Sequence, residues 1–348
     1  MRRREFLDPK RILRTAGQIQ AALTVPAHAE DTPPVTADAL LLHFSRLAMA
    51  TVFEVVLPFG QPHAHDVAIS VLDLIDALEE QLSVYREESE VSRINREAMH
   101  TAVSVEEQLF GLLLVAHRIY RETKACFDIA MGQLIKAWGF FRGSPSVPTS
   151  DDWQVAFANS GMHHVLLSEQ ELSIRLCRAG VELNLGSIGK GYALDRAIEL
   201  LAGVWGIPNV LLHGGRSSVM ARGSAPGTSQ GWVVGIKHPW NEAVHLGRIR
   251  LRDQALGTSA ATYKHLIHED RRLGHILDPR TGWPASGIAS ASVVAPSAAE
   301  ADALATAFYV GGVKLANDYC ATHAHIGALL LEEGTATPNV YGKIELAT

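Results

Sequence analysis

The chain reads as an α+β fold with largely antiparallel sheet. Two observations lead there. Strand-like runs arrive in adjacent groups, at 163–168, 171–176 and 181–185 and again at 231–237 and 247–251, instead of alternating singly with helices as a doubly wound parallel sheet requires. Separate runs with helical spacing flank these groups, and no repeat with a period of 20–50 residues is visible, which removes solenoids and propellers.

In chain order, Thr51 to Leu57 is rich in β-branched and aromatic residues and reads as a strand. Apolar positions Val67, Val71, Leu74, Ile75, Leu78 and Leu82 predict a helix over 66–82. Leu109, Leu112, Leu113, Ala116 and Tyr120 share one face of a second helix over 105–123. The three strand-like runs of 163–185 come next, then a helix over about 189–203. Further strands are expected near 208–213, 231–237, 247–251 and 288–295, with the Gly/Ser/Pro-rich stretch 223–231 read as a hairpin loop. A helix over about 298–310 meets Gly311-Gly312, which ends or breaks it, and Ile326 to Leu331 reads as a final strand.

The 348 residues are 47% hydrophobic, enough for a large core, and the net charge is −6. That charge argues against a nucleic-acid binder working through a broad basic face. No run approaches the roughly 18 apolar residues that span a bilayer. Cys126, Cys177 and Cys320 are isolated and form neither a disulfide framework nor a thiolate metal pattern.

Arg2-Arg3-Arg4-Glu5-Phe6-Leu7 resembles a twin-arginine export signal, and Ala27-His28-Ala29 a small-residue cleavage site. Lys10, Arg11, Arg14, Gln18 and Gln20 interrupt the apolar region between them, so a retained basic arm is the favoured alternative. A signal implies a periplasmic or membrane-surface protein, an arm a cytoplasmic one. Residues 1–40 are therefore expected as arm or signal plus linker, and 41–348 as a single domain.

Four segments carry chemistry. His275-Ile276-Leu277-Asp278-Pro279-Arg280-Thr281-Gly282 reads as a strand ending in a turn that presents polar groups, with Gly282 able to supply a positive φ. Asp302 and Thr306, four apart on a helix, place a carboxylate and a hydroxyl on one face, a pair that suits a hard cation such as Mg²⁺. Solvated side chains at a helix start are the bland alternative. Leu185-Gly186-Ser187-Ile188-Gly189-Lys190-Gly191-Tyr192 is a glycine-rich turn opening a helix, suited to phosphate but matching neither the P-loop nor the dinucleotide pattern. Phe127-Asp128, Trp138-Gly139-Phe140 and Tyr85 set aromatics beside polar groups, either to stack on a planar ring or to pack the core. Sixteen histidines include no His-Glu-x-x-His, and no Gly-x-Ser-x-Gly elbow is present.

In order, these pieces resemble the ApbE family, the FAD:protein FMN transferases. The matching segments are Met49-Ala50-Thr51, Leu82-Ser83-Val84-Tyr85-Arg86-x-x-Ser89, Asn95, Phe127-Asp128, Trp138-Gly139-Phe140, Gly189-Lys190-Gly191-Tyr192 with Asp195, Gly214-Gly215, Thr258-Ser259, the 275–282 block and Asp302-x-x-x-Thr306. They run from about residue 46 to 312. The resemblance implies a T-fold-related α+β domain, an extended FAD, and Mg²⁺ on its pyrophosphate. It implies transfer of FMN to a Ser or Thr hydroxyl of a target protein with release of AMP. By motif position Met49, Tyr85, Cys126, Phe127, Asp128, Asn184, Lys190 and Ile276 contact FAD. Ser187, through its carbonyl, joins Asp302 and Thr306 on the metal, and His275 is the catalytic base, a role its intrinsic pKa near about 6.5 suits. Asn184 stands where the family often has an acidic residue. Arg216 replaces the usual Asp or Asn after Gly214-Gly215, and Ala260 the usual Gly after Thr258-Ser259. FAD hydrolysis to FMN and AMP, or plain FAD carriage, are the alternatives.

Overall fold

The computed structural model describes residues 40–348 except Gly143, 262–264, Asp270 and Thr348. The expectations about an export signal, arm and linker fall on 1–39 and lie outside the described residues. Strands β1 (Leu41–Ala48) and β2 (Thr51–Pro58) lead into helices α1 (Ala64–Leu82) and α2 (Glu90–Glu97). β3 (Val103–Ser104), α3 (Glu107–Glu122), α4 (Gly132–Ala137) and α5 (Ser150–Ala158) follow, then β4 (Val165–Ser168), β5 (Ser173–Leu176) and α6 (Gly189–Gly203). β6 (Val210–Gly214), β7 (Ser218–Arg222), β8 (Trp232–His238), β9 (Asn241–Leu251) and β10 (Gln254–Ser259) come next. The short strands β11 (His265–His268), β12 (Arg271–Gly274), β13 (Leu277–Asp278) and β14 (Trp283–Pro284) precede β15 (Ile288–Ala295), α7 (Ala298–Thr322), β16 (Gly327–Glu332) and β17 (Asn339–Gly342).

The main sheet has eight strands in the order β1-β2-β6-β7-β10-β15-β16-β17, and every neighbouring pair is antiparallel. The α+β reading with antiparallel sheet holds. The strand period of two sends alternate side chains to opposite faces. Val55, Leu212, Ala255, Val293 and Leu330 join the large core shared with α1, α3, α6 and α7. Their neighbours Val56, Leu211, Leu256, Val294 and Leu329 meet Trp232, Val234, Ile236, Ile249 and Leu251 of the β8–β9 hairpin, which covers the other face. Nearly continuous apolar strands such as β15 are the expected result of two covered faces. A third cluster, Leu134, Trp138, Phe140, Ala156 and Leu277, joins α4 and α5 to the 275–282 block.

Two expectations are corrected. Residues 181–185 are not a strand. The Asn95 amide donates to the Leu183 carbonyl at 3.0 Å and accepts from its N–H at 2.7 Å, while Asn184 N–H donates to the Ile129 carbonyl. The segment's backbone partners are thus a side chain and a loop. Residues 223–231 are not a hairpin loop: β7 pairs with β6 and β10, and β8 with β9, so the stretch crosses between sheets. β1, which no expected strand covers, is an edge strand whose His43, Ser45 and Leu47 are exposed. The break expected at Gly311-Gly312 falls at Gly312 (φ 71°, ψ −168°), beyond which the helix resumes to Thr322.

Candidate active site

Helix α6 begins without a side-chain cap, so its first turn keeps N–H groups for other partners. The Gly191 N–H donates to the Asp302 carboxylate at 2.8 Å. Position 191 must be glycine here, because a Cβ would sit 2.1 Å from the Ala298 carbonyl oxygen. The two helices meet at that point. Asp195, one turn along α6, accepts from Ser297 Oγ and the Ala298 N–H at 2.7 Å and from the Ala299 N–H at 2.9 Å, which caps α7 from outside. Asp302 then lies in the first turns of α7, buried at the edge of a cleft. Ser218 Oγ of β7 lies 2.8 Å from both of its oxygens. Burial pushes the Asp302 carboxyl up to about 6 against the opposing pull of Lys190 and these donors.

Thr306, one turn further, lies 3.0 Å from Ser259 Oγ. Ser217, Thr258 and Ser259 line the same cleft beside Ser187, Asp302 and Thr306. This donor set is all oxygen, with one carboxylate. Among the described residues no group of three or more His, Cys, Asp or Glu side chains could hold a metal. A metal resting here would use a carboxylate, hydroxyls and carbonyls, which fits Mg²⁺ and not zinc. The buried carboxylate is the feature a cation would stabilise.

Asp128 is held differently. Its two oxygens accept from the Ala130 N–H at 2.7 Å and the Met162 N–H at 2.9 Å, and burial pushes it up to about 6. Lys124 and Ala125, both at positive φ, turn the chain after α3 so that Cys126 and Asp128 reach the cleft. Met49 and Ala50, at φ 48° and 58°, form the two-residue turn between β1 and β2, left-handed at non-glycine positions.

The 275–282 block is a hairpin. β13 pairs with β14, and Gly282 has φ 69° as the sequence led us to expect. Arg280 makes a bidentate pair with Asp278 at 2.9 and 2.7 Å, so these two are turn scaffold. Trp138 secures the hairpin: fully buried, its indole N–H donates to the Gly282 carbonyl at 2.9 Å and its ring meets Trp283 edge-on at 5.0 Å. His275 and Ile276, just before β13, face the cleft, with Phe140 edge-on to the imidazole at 6.4 Å.

One cleft of about 400 Å³ is lined by Tyr85, Cys126, Asp128, Asn184, Ser187, Lys190, His275, Ile276, Asp302 and Thr306, with Met131 and Phe140 among its other walls. A second, of about 690 Å³, carries Met49 and Arg216 and shares Lys190, Ser217, Thr258, Ala260 and His275 with the first. Phe127 alone among the expected contacts lines neither; the residue is 1% exposed and packs in the core. Sequence reasoning missed Ser217 and Ser218, because a Ser-Ser pair in an apolar strand carries no spacing signal.

The cleft sets the aromatic rings of Tyr85 and Phe140 in the same lining as Lys190, within an α+β domain built on an antiparallel sheet. The chain belongs to the ApbE family, whose model matches residues 49–330. An FAD:protein FMN transferase of Klebsiella pneumoniae is 30% identical over 256 residues, covering 72% of this chain and 78% of that protein. One of Treponema pallidum is 29% identical over 284 residues, covering 77% and 78%. The crystal structure of the ApbE protein of Thermotoga maritima superposes with a TM-score of 0.76 at 28% identity, over 88% of this chain and 97% of that one.

Proposed function

We propose that this protein transfers FMN from FAD to a Ser or Thr hydroxyl of a target protein, with Mg²⁺, and releases AMP. One observation carries the reading: His275, Lys190, Asp302, Thr306 and Tyr85 line a single cleft. In the reaction the acceptor oxygen bonds to the FMN phosphorus and the pyrophosphate P–O bond breaks, so AMP leaves with the bridging oxygen. His275 takes the hydroxyl proton. Lys190 and the uncapped start of α6 offset phosphate charge. Asp302, Thr306 and the Ser187 carbonyl would hold Mg²⁺, which supplies charge neutralisation on the pyrophosphate. Tyr85 stacks on the flavin, and Cys126, Asp128, Asn184 and Ile276 form the remaining wall. Because the two clefts share five residues, an elongated FAD can also reach Met49.

The names of the Klebsiella and Treponema relatives support FMN transfer from FAD to a protein. The chain from 41 onward is read as the catalytic domain. A periplasmic location follows only if 1–40 acts as a signal.

The test is incubation with FAD, Mg²⁺ and a target domain that offers an exposed Thr, followed by mass spectrometry. An added FMN with equimolar AMP supports the proposal. AMP release without an adduct would make the protein an FAD pyrophosphatase, and binding with neither product a carrier.

A further inference from the structure

Tyr85 carries a backing layer. Its ring is stacked on Phe141, with centroids 4.5 Å apart and planes 10° from parallel. The Arg142 guanidinium lies 5.3 Å from the Tyr85 centroid and 5.4 Å from that of Phe141. A charge nearly equidistant from two rings 4.5 Å apart sits beside the pair and covers the outer face of neither. Two hydrogen bonds close the unit: Tyr85 Oη–H donates to the Phe141 carbonyl at 3.3 Å, and Arg142 Nη2 to the Tyr85 carbonyl at 3.1 Å. Lys136 sits 5.3 Å from the Phe141 ring and is itself paired with Glu182 at 2.6 Å.

The unit has a direction. Tyr85 lines the reaction cleft and Phe141 does not; Phe141 lines a smaller neighbouring cavity with Lys136, Glu182 and Asn184. Tyr85 therefore stands on the cleft side of the pair, and the residue is 49% exposed although its ring is stacked on Phe141. A half-exposed tyrosine without such backing would sample rotamers, and a stacking ligand would lose affinity in ordering it.

We infer that Phe141 and Arg142 are positioning residues for flavin binding. They hold the Tyr85 ring so that an incoming planar ring completes a three-layer stack of Phe141, Tyr85 and flavin. This rests on the reading of FAD as the ligand. Neither residue touches the reacting phosphorus, so their contribution lies in FAD affinity and not in the chemical step.

The test is FAD titration of the intact protein, followed by quenching of flavin fluorescence, with transfer rates at saturating FAD. Phe141→Ala should weaken FAD binding severalfold, up to about tenfold, with kcat unchanged. Phe141→Tyr should restore binding. Tyr85→Ala combined with Phe141→Ala should bind no more weakly than Tyr85→Ala alone, because the backing acts only through Tyr85. Unchanged affinity in Phe141→Ala, or losses that simply add in the double variant, would overturn the inference and leave the proposed function standing. Failure of the unaltered protein to bind FAD would overturn both.

Discussion

Gly191 and Asp302, 111 residues apart, are joined by a 2.8 Å hydrogen bond from backbone amide to carboxylate. This bond ties the lysine-bearing turn to the oxygen-donor helix. It exists because α6 and α7 approach more closely than any side chain at 191 allows. Gly191→Ala should therefore force the helices apart, costing about 1–3 kcal/mol or more. Transfer should fall with it, since Lys190 and Asp302 no longer face one ligand. Denaturant unfolding and a transfer assay check both; wild-type stability would contradict the packing argument.

Trp138 acts at the other wall. Trp138→Phe keeps an aromatic ring but leaves the Gly282 carbonyl without its donor. The expected loss is about 1–3 kcal/mol. The rate should drop more than FAD affinity, because the hairpin aims His275. Equal losses of both, or none, would separate the indole bond from the chemistry.

Asp128 gives a pH signature. Its folded pKa of about 6 lies above the ordinary 3.8, so the folded state holds the proton more tightly. Its contribution is full below about pH 4 and is lost as pH rises through about 6, a change of about 3 kcal/mol. Asp302, also near 6, contributes in the same window. Asp128→Asn should flatten part of this fall and lower stability at pH 4, since one of the Ala130 and Met162 amides loses its acceptor. Unfolding curves at pH 4, 5, 6 and 7 provide the comparison, and an unchanged pH slope in the variant would refute the assignment.

Asp302→Asn removes the buried charge and keeps the shape. Without Mg²⁺ it should melt at or above the unaltered protein; added Mg²⁺ should not raise its melting temperature, and transfer should be lost. A normal Mg²⁺ response would place the metal elsewhere.

Much of this was legible in the chain. The long helices and the antiparallel sheet follow from apolar spacing, because each buries one face against the same core. The 275–282 turn was legible because Asp278, Pro279 and Gly282 encode it locally. What was not legible depends on partners distant in sequence. Residues 181–185 look like a strand, yet Asn95 takes the backbone positions a neighbouring strand would occupy. Phe127 sits in a motif beside Asp128, but successive residues point to opposite sides, and its ring goes to the core. Ser218 and Phe141 gain meaning only once Asp302 and Tyr85 are brought against them.

The most direct measurement is single-turnover FMN transfer to an acceptor domain by the unaltered protein and by His275→Ala, each saturated with FAD and Mg²⁺. The account predicts equal FAD binding, an FMN adduct with the unaltered protein, and a rate reduced about 10²–10⁴-fold in the variant. Transfer by His275→Ala at the unaltered rate would contradict it.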